Sequence, residues 1–176
     1  KYRFKKNTHT GTETLIMAAT LASGRTILEN AAEEPEVDNL ISLLNSMGAK
    51  IVRTEPRTIV IVGVKKLHGT SFTIMPDRNE VVTFAVLSTL TGGKIYIKNV
   101  QMTTIRGFLN AFKKVGGKWE TWDSRVRFYI EQEIRSMDVV TSPHPGFMTD
   151  WQGSWSIFMT QANGTSTIHE TVYENR

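Results

Sequence analysis

The sequence predicts an α/β protein assembled from copies of one strand–helix–strand–helix–strand–turn–strand unit, abbreviated βαβαββ. Three observations predict this class: a pattern that recurs 68 residues apart, glycines that end helices at matching places, and polar turns between runs of strand-forming residues. Helices that follow strands, and then a strand hairpin, favour a mixed four-stranded sheet covered by helices.

The repeat is clearest in the second helix of the unit. The first copy has apolar residues at helical spacing followed by a glycine: Val37, Leu40, Ile41, Leu44 and Gly48. The second copy has the same series: Ile105, Phe108, Leu109, Phe112 and Gly116. The predicted strands at 24–30 and 58–62 likewise correspond to 93–99 and 126–130.

A third copy begins at Val139 and continues with a predicted helix at 151–162 and a strand at 165–170. The sequence stops at Arg176, where the second helix of this copy is expected. We therefore predict two complete or nearly complete copies, residues 1–75 and 76–138, and the start of another at 139–176. The chain is expected to be a piece of a longer protein.

Local signals mark the element boundaries. Thr12-Glu13 is expected to open the first helix, and Glu34-Pro35-Glu36 the second, because proline and acidic residues favour the first helical turn. Residues 55–57 and 121–124 fit turns between antiparallel strands.

Composition excludes several function classes. The 176 residues carry a net charge of +4 and include no cysteine, which rules out disulfides, thiolate metal sites and a thiol nucleophile within the chain. No run approaches the roughly 20 apolar residues of a membrane span, and no signal peptide is visible. His68 and His169 lack partners at metal-ligand spacing. We expect a cytoplasmic protein without a metal or other cofactor.

Residues 143–152 carry the strongest chemical signal. Pro143 and Pro145 favour a rigid, non-helical segment, and Gly146 permits a sharp turn. Thr149 and Asp150 then occupy the place of an N-cap before the predicted helix. Asp150 is either a simple cap or a carboxylate held for chemistry.

This segment, His-Pro-Gly-Phe-Met-Thr-Asp-Trp-Gln at 144–152, resembles the His-Pro-x-Phe-x-Thr-Asp-x-Gln segment of the UDP-N-acetylglucosamine enolpyruvyl transferases of peptidoglycan synthesis. Three further segments resemble the same family in the same order: Glu-Asn-Ala-Ala-Glu-Glu-Pro-Glu at 29–36, Pro-Asp-Arg-Asn-Glu at 76–80 and Glu-Thr-Val-Tyr-Glu-Asn-Arg at 170–176. The related transferases of the shikimate pathway share the fold and lack the His-Pro-x-Phe-x-Thr-Asp segment.

The resemblance implies two lobes, each of three βαβαββ units, with the active site in the cleft between them. On this reading residues 1–75 complete one lobe, and the chain crosses to the other near residues 76–78. The resemblance also implies UDP-N-acetylglucosamine and phosphoenolpyruvate as substrates, and the remainder of the same enzyme as the other partner. The general acid and the phosphoenolpyruvate-binding arginines fall outside this chain, which alone is expected to be inactive.

The resemblance also implies roles for individual residues. Asp150 matches the aspartate beside the sugar 3-hydroxyl and is expected to act as the base. The expected substrate-binding residues are Asn7, Thr8, His9, Thr10, Thr149 and Val172. For the first four, hydroxyls and a helix N-terminus suit the diphosphate. Alternatively, Thr149 is only a cap and Val172 an ordinary strand-end residue.

The sequence leaves two roles open for Arg78 and two for His144. Arg78 either lines the cleft or pairs with Asp77. His144, between two prolines, either orders its loop or binds an anionic group.

Departures from the family pattern favour a rival hypothesis. Asn7 and His9 stand where the family usually has lysine and serine, and Val81-Val82 replaces a threonine-glycine pair. The rival is a non-catalytic sugar-nucleotide-binding or structural module with the same fold. A nucleic-acid-binding module is not expected, although the chain starts with a basic cluster, because the remaining charges are mixed and no aromatic-basic motif occurs.

Overall fold

The computed structural model describes residues 1–173 and divides the chain into two compact units, one from Lys1 to Met75 and one from Pro76 onward. Each unit combines helices with β-strands, so the predicted α/β class is confirmed. The segment Glu174-Asn175-Arg176, where the resemblance and the third copy end, lies outside the described residues.

The first unit contains two helices and a mixed four-stranded sheet. Its elements are β1 (Tyr2–Arg3), α1 (His9–Thr20), β2 (Arg25–Glu29), α2 (Pro35–Ser46), β3 (Lys50–Glu55) and β4 (Thr58–Val62). The strand order is β1-β2-β4-β3, with β1 parallel to β2 and the other neighbours antiparallel. The hairpin between β3 and β4 turns at residues 56–57, within the predicted turn.

The core of the first unit follows from strand and helix periodicity. Ile59 and Ile61 alternate along β4 and are fully buried, whereas Val62 is exposed. Ile16 of α1 and Val37 of α2, both fully buried, belong to the same apolar cluster. The two helices therefore pack on one face of the sheet.

The first helix begins earlier than predicted. Helix α1 starts at His9 rather than at Thr12, because the Thr8 hydroxyl accepts a hydrogen bond from the Gly11 amide at 3.3 Å and caps the helix. The second helix starts at Pro35, as predicted.

The second unit contains three helices, a three-stranded antiparallel sheet and a separate pair of parallel strands. Its elements are α3 (Arg78–Thr91), β5 (Ile97–Lys98), a 3₁₀ turn (Met102–Ile105), α4 (Arg106–Lys114), β6 (Gly117–Trp122), β7 (Arg125–Ile130), β8 (Val139–Val140), a 3₁₀ turn (Thr149–Trp151), α5 (Gln152–Met159) and β9 (Ile168–His169). The sheet order is β5-β7-β6, and β8 pairs with β9. Within residues 76–173 the predicted fourth strand of the sheet is absent.

Several elements of the second unit are shorter than predicted. The strands expected at 93–99 and 165–170 are only two residues each, and the helix expected at 151–162 spans Gln152–Met159. The turn expected at 121–124 is correct. Asp123 and Ser124 connect β6 to β7 with φ angles of 45° and 63°, as a type I′ hairpin turn requires.

An aromatic cluster fills the core of the second unit. Seven buried rings contact one another at centroid distances of 5.2–6.2 Å: Phe108, Phe112, Phe128, Phe147, Trp151, Trp155 and Phe158. Val81 and Val82 of α3 lie in the same core, 5% and 1% exposed. The departure from the family at these two positions therefore supplies apolar packing.

Candidate functional site

The candidate site lies in the second unit at residues 142–151, named here the Asp150 turn. Two backbone hydrogen bonds close it: the Gly146 amide donates to the Pro143 carbonyl at 2.9 Å, and the Ser142 amide donates to the Phe147 carbonyl at 2.8 Å. The chain then enters the 3₁₀ turn, where Thr149 and Trp151 are buried and Asp150 between them is exposed. The turn therefore places Asp150 at the surface between two buried residues.

Asp150 does not occupy the N-cap position where the sequence analysis placed it, so the alternative in which it is a simple cap is wrong. The residue before the 3₁₀ turn is Met148, and neither this turn nor α5 has a side-chain cap. Asp150 is the second residue of the 3₁₀ turn and therefore does not occupy the N-cap position, which is held by Met148.

Helix α4 contacts the Asp150 turn through two glycines. A Cβ atom on Gly107 would lie 2.3 Å from the Gly146 carbonyl oxygen, a distance that no side chain tolerates. A Cβ atom on Gly146 would lie 1.8 Å from the Ser142 hydroxyl oxygen. The turn thus rests directly on the helix backbone, which limits its freedom to move.

Arg78 holds the turn from inside the unit. Its side chain is only 1% exposed, and Nη1 lies 3.0 Å from His144 Nδ1 and 3.3 Å from the Thr104 carbonyl oxygen. Because a guanidinium only donates, His144 Nδ1 is the acceptor in this contact. His144 therefore orders its loop, and Arg78 contacts it.

Asp77 is the N-cap of α3. Its carboxylate accepts from the Asn79 amide at 2.7 Å and caps α3. Asn79 in turn accepts a hydrogen bond from Trp151 Nε1 at 2.9 Å. The start of α3 is thereby linked to the 3₁₀ turn that contains Asp150.

Glu170 connects the Asp150 turn to the segment that follows β9. Oε2 accepts from the Thr149 hydroxyl at 2.9 Å, and Oε1 accepts from the amides of Val172 and Tyr173 at 2.7 and 3.0 Å. Burial acts to raise the pKa of Glu170. The hydrogen bonds that it accepts, first those from the Tyr173 and Val172 amides, outweigh burial and lower the pKa below the ordinary value of 4.5.

Thr141 and Thr171 add a second connection between the same segments. The Thr171 amide donates to Thr141 Oγ1 at 2.9 Å, and the Thr171 hydroxyl donates to the Thr141 carbonyl at 2.6 Å. Thr141 is fully buried, and its amide donates to the His169 carbonyl at 2.9 Å. These bonds continue the parallel pairing of β8 with β9.

The first unit holds the other predicted site residues at the N-terminus of α1. Asn7 precedes the helix, Thr8 caps it, and His9 and Thr10 form its first turn, so only Asn7 and Thr8 lie outside the helix. His9 Nε2 lies 3.3 Å from Glu13 Oε1. A Cβ atom on Gly11 would lie 2.7 Å from the Thr8 methyl carbon, so the cap requires glycine there.

The structure thus brings together Thr149, Asp150 and Val172 within the second unit, through Glu170. The sequence analysis did not predict the observed roles of two residues, Arg78 and Glu170. For Arg78 a signal existed, because a cation in the first turn of a helix is electrostatically unfavourable and calls for a specific partner. For Glu170 the spacing gives no signal, since its partners are backbone amides and a threonine 21 residues away.

Other surface features carry less information. The basic start of the chain is partly neutralised, because Glu29 lies 2.7 Å from Lys1 Nζ and 3.9 Å from Arg3 Nη1. The hydrogen bond from Lys1 is the main cause that lowers the pKa of Glu29. Within residues 1–173 no three His, Asp or Glu side chains cluster as metal ligands, and no described helix is long and apolar enough to cross a membrane.

Comparison of the whole chain with known proteins identifies one family of transferases. A family model described as EPSP synthase (3-phosphoshikimate 1-carboxyvinyltransferase) matches residues 1–176, and the chain belongs to this family. Among curated relatives, the chain is 46% identical over 170 residues to a UDP-N-acetylglucosamine 1-carboxyvinyltransferase of Magnetococcus marinus. It is 42% identical to proteins of the same name from Koribacter versatilis, over 173 residues, and Bartonella henselae, over 178.

These alignments cover 96–99% of the chain and 40–41% of each relative. The chain thus spans about two fifths of the length of the curated relatives it matches. Among solved structures, the enolpyruvyl transferase NikO from Streptomyces tendae superposes with a TM-score of 0.85 at 22% identity, covering 95% of the chain and 40% of NikO. That likeness shows the fold.

Proposed function

We propose that the chain forms part of an enzyme that transfers the enolpyruvyl group of phosphoenolpyruvate to the 3-hydroxyl of UDP-N-acetylglucosamine. Three relatives that carry the corresponding enzyme name at 42–46% identity support the substrates. The proposal includes a role in peptidoglycan synthesis in the cytoplasm, which rests on the same resemblance.

The observation that carries the proposal is the exposed position of Asp150 between two buried neighbours in the Asp150 turn. Thr149 and Trp151 on either side are 8% and 1% exposed, so the turn cannot rotate freely to withdraw Asp150. An alcohol is a poor nucleophile until a nearby group accepts its proton, and a carboxylate can do so. We assign Asp150 as the base for the sugar hydroxyl.

The remaining chemistry requires groups beyond Asp150. Transfer needs an acid that protonates the vinyl carbon, and cationic groups for the phosphates. We propose that Thr149 and Val172 contact the sugar nucleotide beside Asp150. We propose that Asn7, Thr8, His9 and Thr10 bind its diphosphate at the N-terminus of α1, where backbone amides are available.

We further propose that residues 1–75 complete one lobe of the enzyme, that 76–138 begin the other, and that 139–176 start a further copy of the βαβαββ unit. Matching backbone conformations support this proposal. Gly48, Gly116 and Gly164 each follow a helix with φ of 98°, 102° and 110°. Asn30 and Asn99 follow corresponding strands with φ of 53° and 58°.

The direct test is phosphate release by the full-length gene product in the presence of both substrates. Replacing Asp150 with asparagine should lower turnover about 10²–10⁴-fold, the usual contribution of a general base. Stability should change by less than about 0.5 kcal/mol, because Asp150 is exposed and caps no helix. Asp123→Asn is the matched control: Asp123 is also exposed, and asparagine suits its turn conformation.

Normal turnover in the Asp150→Asn variant would remove Asp150 as the base. Absence of phosphate release by the wild-type protein would remove the proposed reaction altogether.

One observation favours the non-catalytic rival. The carboxylate of Glu13, in the second turn of α1, lies 3.3 Å from Nε2 of His9 in the first turn, so an anion pairs with a residue of the proposed diphosphate position. A nearby carboxylate weakens phosphate binding at a helix N-terminus. Calorimetric binding of UDP-N-acetylglucosamine without any turnover would support a binding module, and the absence of both would support a structural one.

A further inference from the structure

Two candidate substrate contacts lie far apart in the sequence and close together in the structure. Thr149 and Asp150 belong to the 3₁₀ turn before α5, whereas Val172 follows β9. The distance between these two segments determines how a sugar nucleotide bound at Val172 would be oriented relative to the carboxylate of Asp150. The side chain that contacts both segments is Glu170.

The geometry at Glu170 is that of a two-sided clamp. One carboxylate oxygen accepts from the Thr149 hydroxyl at 2.9 Å, and the other accepts from two successive amides, those of Val172 and Tyr173. Because the two oxygens belong to one rigid planar group, the positions of the donors are coupled. A displacement of Thr149 would have to stretch this bond or move the Val172 amide.

Burial and neighbouring hydrogen bonds hold the two segments that Glu170 connects in place. Thr149 is 8% exposed, and Thr141 and Thr171 hold the same two segments with bonds of 2.6 and 2.9 Å. The net lowering of the Glu170 pKa shows that its bonds favour the ionised, acceptor-only form. At neutral pH the carboxylate can therefore accept from all these donors at once.

We propose that Glu170 is a positioning residue, which sets the distance between Val172 and the Thr149–Asp150 pair without contacting the reacting atoms. Its consequence for catalysis rests on the proposed function. Its length, rather than its charge, is the property that matters, because the side chain must span from its own backbone to Thr149.

Two substitutions separate length from charge. Glu170→Gln keeps the length: the amide oxygen can accept from the Val172 and Tyr173 amides while the NH₂ group donates to the Thr149 hydroxyl. Glu170→Asp keeps the charge and loses one methylene, so it cannot reach both sides. A positioning role predicts that the glutamine variant is more active than the aspartate variant, and a proton-transfer role predicts the reverse order.

The experiment compares both variants in the full-length gene product. Glu170→Asp should reduce kcat about 10–100-fold, because displacement of a reacting group by about 1 Å has that effect, and it should raise the KM for UDP-N-acetylglucosamine. Glu170→Gln should stay within about threefold of wild type, and the KM for phosphoenolpyruvate should change in neither. Glu133→Asp is the matched control, since Glu133 accepts only an exposed bond from Asn163 at 3.3 Å.

Amide hydrogen exchange supplies a second measurement that needs no activity. Glu170→Asp should accelerate exchange at Val172 and in residues 147–151 by about tenfold, whereas Glu170→Gln and Glu133→Asp should not. An aspartate variant that is as active as wild type, or more active than the glutamine variant, overturns the proposal. If the wild-type protein shows no turnover, the proposed function fails, and exchange alone decides: faster exchange supports the clamp, and unchanged exchange overturns it.

Discussion

Replacing Arg78 with methionine should destabilise the second unit by about 2–4 kcal/mol. The guanidinium is 1% exposed and donates to the Thr104 carbonyl and to His144 Nδ1. Methionine fills most of the space of the apolar part of the arginine side chain, so little packing is lost. The main loss is that two acceptors no longer have a donor, which costs about 1–3 kcal/mol for each buried acceptor. Relief from burying a charge offsets part of this loss, which gives the range stated.

Tryptophan fluorescence during urea unfolding measures this change in the right part of the molecule. All four tryptophans, Trp119, Trp122, Trp151 and Trp155, belong to the second unit. The midpoint and slope of the transition give the free energy of unfolding for each variant.

The matched control is Arg125→Met, which removes an exposed arginine of β7 and should change stability by less than about 0.5 kcal/mol. Indistinguishable midpoints for the two variants would refute the reasoning, because they would mean that the buried guanidinium contributes no more than an exposed one.

Two further predictions concern the same region. The Glu170 pKa is lowered in the folded state, so its contribution to stability is present above pH 4.5 and is lost as the pH falls through the lowered value. Thermal melts between pH 3 and 7, about the range in which carboxyls titrate, should therefore show a smaller loss of stability at acidic pH in Glu170→Gln than in wild type; equal slopes would contradict this. Gly107→Ala should destabilise by about 1–3 kcal/mol, because the added methyl group meets the Gly146 carbonyl at 2.3 Å. Gly153→Ala, where nothing lies within 4 Å, is its control in the same melts, and equal melting temperatures would contradict the close contact.

The sequence predicted the α/β class and several turns because these depend on local pattern. The alternation of Ile59 and Ile61 indicates a half-buried strand, and the turn at 123–124 follows from residues that tolerate positive φ. The start of α1 was misplaced because the hydroxyl of Thr8 competes successfully as a cap four residues before Thr12.

The candidate site was predictable only in part, for a different reason. The resemblance indicated Asp150, and of the two alternatives left open for it the simple cap was wrong, because a 3₁₀ turn precedes α5. The contact between Arg78 and His144 joins residues 66 positions apart, and its distance depends on tertiary packing that no local pattern encodes. The roles assigned to Asn7, Thr8, His9, Thr10, Thr149, Asp150 and Val172 remain predictions.

The aromatic cluster has a consequence for how variants of this protein would behave. Phe147 and Trp151 are members of the cluster and also residues of the Asp150 turn, with ring centroids 5.6 Å apart. Two of the rings that form the core of the second unit are therefore also part of the turn that contains Asp150. If Asp150 acts as proposed, a substitution deep in this core, at Phe108 for example, should impair activity before it unfolds the protein, and a genetic screen for lost activity should then recover interior residues that never meet a substrate.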